Sequence, residues 1–163
     1  MTVLPTLTFA RLADSALLVR LGDGQEIEPA VVAAVWALTA ALDERTPPGV
    51  DDVVPAYATI LVSFDPAMTD ATTLEAAIRA IAASLPARAE QPAREVVIPV
   101  VYGGEFGPDL ADVAAHAGLT PDEVVSRHAG ATYRVACGGF APGWDYLIGL
   151  PPELATGWLA RAV

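Results

Sequence analysis

Residues 59–85 read TILVSFDPAMTDATTLEAAIRAIAASL and combine a strand pattern with a helix pattern. Ile60, Val62 and Phe64 alternate with their neighbours, which predicts a strand with one buried face. Thr72 and Glu75 have the spacing of a capping box, and apolar residues recur behind them at helical spacing. The stretch therefore predicts one strand followed by one amphipathic helix.

A similar pattern lies upstream. Residues 7–12 and 16–21 predict two short strands, and a helix follows with Pro29 at its first position. Residues 50–54 predict a third strand, directly before the one at Thr59. The order strand, strand, helix, strand, strand, helix predicts an α+β domain over residues 1–88, in which two helices cover one face of a four-stranded sheet.

Residues 86–94 contain two prolines and few apolar side chains beyond alanine, which predicts a linker. A second domain is then expected over residues 94–163. Its predicted elements are strands at 96–101 and 133–137 and helices at about 108–117 and from Thr120 to Gly130. Thr120 and Glu123 form a strong helix-start signal with a proline between them. A region this small buries little of its chain.

Composition excludes several classes of function. The net charge of −11 argues against nucleic-acid binding, which needs clustered cations. All nine basic residues are arginine, so a lysine Schiff base and a P-loop lysine are both excluded. A single cysteine and two histidines favour a reducing compartment and no metal site. The start of the chain lacks signal-peptide features, and no apolar run is long enough to span a bilayer, so we expect a cytoplasmic protein without membrane contact.

Two glycine-rich loops carry the functional argument, at residues 102–109 and 138–151. Such loops are rigid, expose backbone amides and more often bind than merely connect. We expect the two loops to converge on one pocket or docking face. In the second loop, aromatic side chains predict a wall, and glycines interrupt any simple core pattern. The wall residues are Phe140, Trp144 and Tyr146, and the glycines are Gly139, Gly143 and Gly149.

The remaining candidate ionisable side chains each have a structural explanation beside a functional one. Glu105 in the first loop is the candidate proton shuttle, or else a solvated loop charge. Asp145 could orient a substrate amide or satisfy backbone amides of its turn. Cys137 is predicted to lie in a core, because it shares a strand face with Tyr133 and Val135. His116 and His128 lie near helix ends and are interpreted as surface histidines.

Both loops carry a family resemblance. Residues 96–110 (VVIPVVYGGEFGPDL), 118–125 (GLTPDEVV) and 139–150 (GFAPGWDYLIGL) are similar to the family of the B-type subunit of 5-oxoprolinase, also called allophanate hydrolase subunit 1, which includes a sporulation-kinase inhibitor. Residues 49–62 (GVDDVVPAYATILV) agree as well. The family's loop residues correspond here to Tyr102, Gly103, Gly104, Gly107, Pro108, Asp109, Gly139, Phe140, Pro142, Gly143, Tyr146 and Gly149.

The resemblance implies a small α+β domain followed by a cyclophilin-like β-barrel. It also implies an ATP-dependent enzyme that opens 5-oxoproline to glutamate, with ATP bound by the complex rather than by this chain alone. Its partners would be a C-type subunit, whose fold is related to the barrel, and a further 5-oxoprolinase subunit. Trp144 replaces the family's usual phenylalanine. Asp145 replaces a small residue or proline, so any role of that charge is local to this chain.

The family continues through several more strands where this chain reads Leu154-Ala-Thr-Gly-Trp and soon stops, so a partial barrel and a shortened C-terminus are expected. Three alternatives to the hydrolase remain open. One is a regulatory protein that binds a sensor histidine kinase through the aromatic loop. Another is a carboxyltransferase or allophanate hydrolase component of urea metabolism. The last is a remnant without function.

Overall fold

A computed structural model of the protein describes residues 5–22, 27–85 and 94–156. The chain divides into two units, Met1–Pro92 with Ala136–Asp145 and Ala93–Val135 with Tyr146–Val163. The predicted linker lies outside the described residues except for Arg94. The proposed boundary between domains at residues 88–94 stays a prediction.

The described elements alternate between strands and helices. The strands are β1 (Leu7–Leu12), β2 (Ala16–Leu21), β3 (Val50–Pro55), β4 (Thr59–Phe64), β5 (Arg134–Gly138) and β6 (Asp145–Ile148). The α-helices are α1 (Pro29–Glu44), α2 (Ala71–Ala83), α3 (Leu110–Ala117) and α4 (Pro121–Gly130), and two 3-10 turns cover Gly104–Phe106 and Pro152–Leu154.

The first unit is built on a four-stranded antiparallel sheet with the strand order β1-β2-β4-β3. Its core follows from period-two alternation: Leu17, Val19 and Leu21 of β2 are buried, as are Ile60 and Val62 of β4. The apolar stripes of α1 and α2 contribute to the same core cluster. The mixed α and β character predicted for the chain is confirmed, and the sheet is antiparallel.

The start of α2 differs from the prediction. Asp70, not Thr72, is the N-cap, and its carboxylate accepts hydrogen bonds from the amides of Thr72 and Thr73 at 2.8 and 3.0 Å. The predicted capping box of Thr72 and Glu75 is therefore wrong. Aspartate two residues earlier is an equally good cap, and it begins the helix before Thr72 is reached.

The second unit contains a small core around the helices. Ala114 of α3, Val124 of α4 and Leu154 are buried together. The capping box predicted at Thr120 is confirmed, because the Thr120 hydroxyl accepts from the Glu123 amide and the Glu123 carboxylate accepts from the Thr120 amide. The helix, predicted to end near His128 and Gly130, ends at Gly130.

The strand predicted at Val96–Val101 is wrong. The backbone there has no strand assignment, and no described strand pairs with it. Its apolar side chains are exposed, with Val97 at 87% and Ile98 at 73%. A strand needs a hydrogen-bonded neighbour, and an apolar run alone does not supply one.

In the part of the chain that is described, no helix is long and apolar enough to cross a membrane.

Candidate functional site

The first glycine loop, residues 102–109, exposes the carboxylate of Glu105 to solvent. Gly103 and Gly104 have positive φ angles of 74° and 59° and lead into the 3-10 turn. The Gly107 amide donates to the Gly103 carbonyl at 3.1 Å, which closes this turn. Glu105 lies in this turn and is exposed.

Tyr102, at the head of this loop, is held by a histidine. Its hydroxyl lies 2.7 Å from Nδ1 of His128, and the two rings meet edge to face. Tyr133 also packs against His128, with ring centroids 5.2 Å apart, and donates from its hydroxyl to the His128 carbonyl at 3.2 Å. Burial, and then the nearby Tyr102, raise the pKa of Tyr133 above its ordinary value. His128 lies in the last turn of α4 as predicted, but it is half-buried between Tyr102 and Tyr133 rather than on the surface.

The second glycine loop consists of two consecutive tight turns. The Ala141 amide donates to the Gly139 carbonyl at 2.9 Å, and Phe140 between them has a φ of 69°. This bond and this positive φ are those of a γ-turn of the rare, strained kind. The Trp144 amide donates to the Ala141 carbonyl at 3.0 Å, which closes a β-turn.

The sequence explains the second of these turns. Pro142 occupies the first central position and Gly143 the second. The φ of 78° at Gly143 fits a type II turn, which favours proline followed by glycine at these positions. A further bond from the Gly139 amide to the Trp144 carbonyl, at 3.1 Å, closes the base of the loop.

The aromatic side chains of this loop are exposed. Phe140 and Trp144 meet edge to face with ring centroids 5.6 Å apart, and they are 88% and 51% exposed. Tyr146 lies on β6 and is 37% exposed. The loop therefore presents an aromatic surface rather than a packed core.

Gly149 follows β6, and a Cβ there would lie 2.5 Å from the Thr132 carbonyl oxygen.

The strand that precedes this loop is anchored in the first unit. Ala136 and Cys137 of β5 are buried, and the Ala136 carbonyl accepts a hydrogen bond from the Trp36 indole. Burial raises the pKa of the Cys137 thiol above its ordinary value. The thiol therefore stays protonated near neutral pH. Cys137 is buried as predicted, but Val135, expected to share the same buried face, is 43% exposed.

The predicted site residues fall into both units. Tyr102, Gly103, Gly104 and Glu105 belong to the second unit, together with Tyr146 and Gly149, whereas Gly139, Phe140, Pro142, Gly143 and Trp144 belong to the first. That the two glycine loops line one face stays a prediction. Among the described residues, no cluster of three or more His, Cys, Asp or Glu side chains could hold a metal ion.

Sequence reasoning missed a cavity in the first unit. It measures about 270 Å³ and lies between the β1–β2 turn and the start of α2, lined in part by Arg11, Asp14 and Asp70. Arg11 donates to the Thr72 hydroxyl at 2.7 Å, and Asp70 is occupied by the helix cap. Arg11 and Asp70 thus both serve the fold, so this cavity is a weaker candidate than the glycine loops.

Comparison with known proteins gives consistent matches. The family model of the carboxyltransferase domain, subdomain C and D, matches residues 7–162. The 5-oxoprolinase B-type subunit from Bacillus subtilis (strain 168) is 36% identical over 158 residues, which cover 90% of this chain and 64% of that protein. The protein of the same name from Escherichia coli O157:H7 is 52% identical over 67 residues, or 41% of this chain and 31% of that one.

Solved structures agree with the family match. The crystal structure of TTHA0988 superposes with a TM-score of 0.69 at 32% identity, over 86% of this chain and 27% of that one. The Kluyveromyces lactis urea amidolyase reaches a TM-score of 0.63 at 13% identity, over 83% of this chain and 9% of that one, a likeness of fold alone. The chain thus spans less than two thirds of each of these proteins. The resemblance to the B-type subunit of 5-oxoprolinase is confirmed, and the chain belongs to the family of the carboxyltransferase domain, subdomain C and D.

Proposed function

We propose that this chain is a subunit of a 5-oxoprolinase, which hydrolyses the cyclic amide of 5-oxoproline to glutamate. The observation that carries the proposal is the match of 90% of the chain to the Bacillus subtilis protein that is named as the B-type subunit of 5-oxoprolinase. That protein is longer than the matched region, so the activity is proposed for a complex rather than for this chain alone.

The chemistry suits the exposed loops. A lactam carbonyl is a poor electrophile, so ATP would phosphorylate the amide oxygen, and water would then attack the activated carbon. ADP leaves in the phosphorylation step. When the ring C–N bond breaks, the nitrogen takes a proton and becomes the amine of glutamate, and a second water hydrolyses the resulting acyl phosphate to the side-chain carboxylate and inorganic phosphate. Loop amides would stabilise the oxyanion, and Glu105 would carry the proton.

The ATP and the remaining chemistry are assigned to partner subunits. The chain has no lysine and no P-loop, so its own loops offer little to a triphosphate. The C-type subunit and a further 5-oxoprolinase subunit are the proposed partners. The binding surface assigned to this chain consists of Tyr102, Gly103, Gly104, Gly139, Phe140, Pro142, Gly143, Trp144, Tyr146 and Gly149.

We also propose that the second unit is part of a cyclophilin-like β-barrel. The exposed apolar run at Val96–Val101 supports this, because an apolar run without a partner strand is suited to receive one. Amide exchange at Val97 and Ile98 is expected to be fast in this chain and slow in a 5-oxoprolinase B-type subunit of full family length. Equal exchange in both would contradict the barrel.

The test of function is reconstitution with both proposed partners. ATP-dependent release of glutamate from 5-oxoproline is measured for the wild-type chain and for Glu105→Gln and Gly143→Val. Both variants are expected to lower turnover, the first by removing the proton carrier and the second by straining the turn. Glu44→Gln, which changes an exposed helix-end carboxylate instead, is the matched control. Unchanged turnover in both loop variants would remove the site assignment.

A second candidate is a component that acts on urea-derived substrates. The family description, a carboxyltransferase domain, favours it. The same reconstituted mixture supplied with urea or allophanate in place of 5-oxoproline separates the two. ATP consumption with the urea-derived compounds alone would favour this candidate.

A further inference from the structure

Phe140 combines two unfavourable features. At 88% exposure it is the most exposed of the large apolar side chains that the structure describes. Its φ of 69° is also one that a residue with a Cβ adopts only under strain. Glycine would avoid both costs at this position. Strain that is retained in an exposed loop is typical of functional sites.

The turn around Phe140 is preformed. Three backbone hydrogen bonds within residues 139–144 fix its path, and Pro142 restricts it further. The Trp144 ring packs against the edge of Phe140, which limits the freedom of that side chain. A partner that binds here has little ordering entropy to overcome.

A protein suits this surface better than a small molecule does. Small-molecule sites are concave and bury most of their ligand, whereas the Phe140 ring is almost wholly exposed and provides no enclosing wall. Protein interfaces in contrast are dominated by a few aromatic side chains that enter pockets of the partner. Phe140 has the form of such an anchor.

Charge indicates the nature of the partner. The chain carries 20 acidic and nine basic residues, and exposed Asp145 follows the loop directly. Two copies of a chain with net charge −11 would repel each other, which disfavours a homodimer through this face. A partner whose apolar pocket has a rim of arginine or lysine side chains is complementary to both the ring and the charge.

We propose that Phe140, supported by Trp144, is the anchor through which this chain docks on a partner subunit, in an apolar pocket with a basic rim. The proposal rests on the proposed function, because it takes that partner to be the C-type subunit of the 5-oxoprolinase complex. The Phe140 ring would then contact the partner subunit rather than the lactam.

The experiment is a binding titration of the whole chain with the purified C-type subunit. The diagnostic variant is Phe140→Gly, which removes the ring and also relieves the φ strain, so the variant should fold at least as well as the wild type. Its affinity is expected to fall about tenfold or more, and wild-type affinity is expected to fall as salt rises. Met68→Ala, which truncates another exposed side chain of the first unit, should bind like the wild type.

Three outcomes would overturn the inference. If Phe140→Gly binds with wild-type affinity, Phe140 is not the anchor. The proposed function then still stands if glutamate release persists. If the affinity does not depend on salt concentration, the partner's pocket has no basic rim. No binding of the wild-type chain to the C-type subunit contradicts the partner as well as the anchor, and the turnover assay then decides the proposed function separately.

Discussion

The indole nitrogen of Trp36 on α1 donates a 2.7 Å hydrogen bond to the carbonyl oxygen of Ala136 on β5, 100 residues further along the chain. Ala136 is fully buried, so its carbonyl has no access to bulk water. This bond fixes the strand that leads into the aromatic loop to the helix layer of the first unit.

Replacing Trp36 with phenylalanine is expected to destabilise the protein. The substitution keeps an aromatic ring but removes the indole N–H and part of the ring volume. The Ala136 carbonyl loses a donor, which alone costs about 1–3 kcal/mol for a buried acceptor. Denaturant unfolding of the wild type and Trp36→Phe measures the difference. An unchanged free energy of unfolding would show that the bond does not hold β5 in place.

Gly149→Ala is expected to be strongly destabilising. The φ of 107° is unfavourable for alanine, and the new Cβ would lie 2.5 Å from the Thr132 carbonyl oxygen. A backbone forced into such a region costs about 1–3 kcal/mol before the clash is counted. Gly130→Ala is the matched control, because no atom lies within 4 Å of its added Cβ and its φ is not in the positive range. Equal thermal stability of the two variants would contradict the Gly149 geometry.

The single cysteine is expected to react slowly with thiol reagents. Burial raises the pKa of Cys137, so the thiolate fraction at pH 8 is small and the sulfur is also hard to reach. Labelling with a chromogenic disulfide should be slow in the native chain and become fast and stoichiometric in denaturant. Rapid labelling of the native chain at pH 8 would indicate an exposed, activated thiol instead.

Asp70 is expected to make stability sensitive to acid. The hydrogen bond from the Thr73 amide, followed by that from its hydroxyl, lowers the pKa of Asp70 below its ordinary value. Such a carboxylate stabilises the fold above its ordinary pKa, near pH 4, and that stabilisation is lost as the pH falls through the lower pKa of the folded state.

Asp70→Asn separates the charge from the cap. Asparagine caps helices about as well as aspartate, so stability at pH 7 should change little. The decline of stability below pH 4 should become shallower in the variant, which melting temperatures between pH 2 and pH 7 would show. A decline as steep as that of the wild type would mean that Asp70 does not titrate with folding.

Local patterns predicted the parts of the fold that depend on local physics. The alternation in β4 and the capping box at Thr120 each need only neighbouring residues, and both appear in the structure. The prediction failed at Val96–Val101, where an apolar run was interpreted as a strand without evidence of a partner strand.

The candidate site was predictable only in part. Glycine and proline indicated the tight turns at Pro142 and Gly143, because those residue types determine backbone angles. The strained φ of Phe140 left no signal, since phenylalanine rarely adopts it. The contacts from His128 to Tyr102 and from Trp36 to Ala136 join distant residues, and no spacing rule reveals them.

The most direct test of the proposed function is glutamate release from 5-oxoproline by purified subunits mixed with and without this chain, in the presence and absence of ATP. We expect turnover only when the chain, both partner subunits and ATP are all present. Equal glutamate release without the chain, or none in the complete mixture, would contradict its assignment as a 5-oxoprolinase subunit.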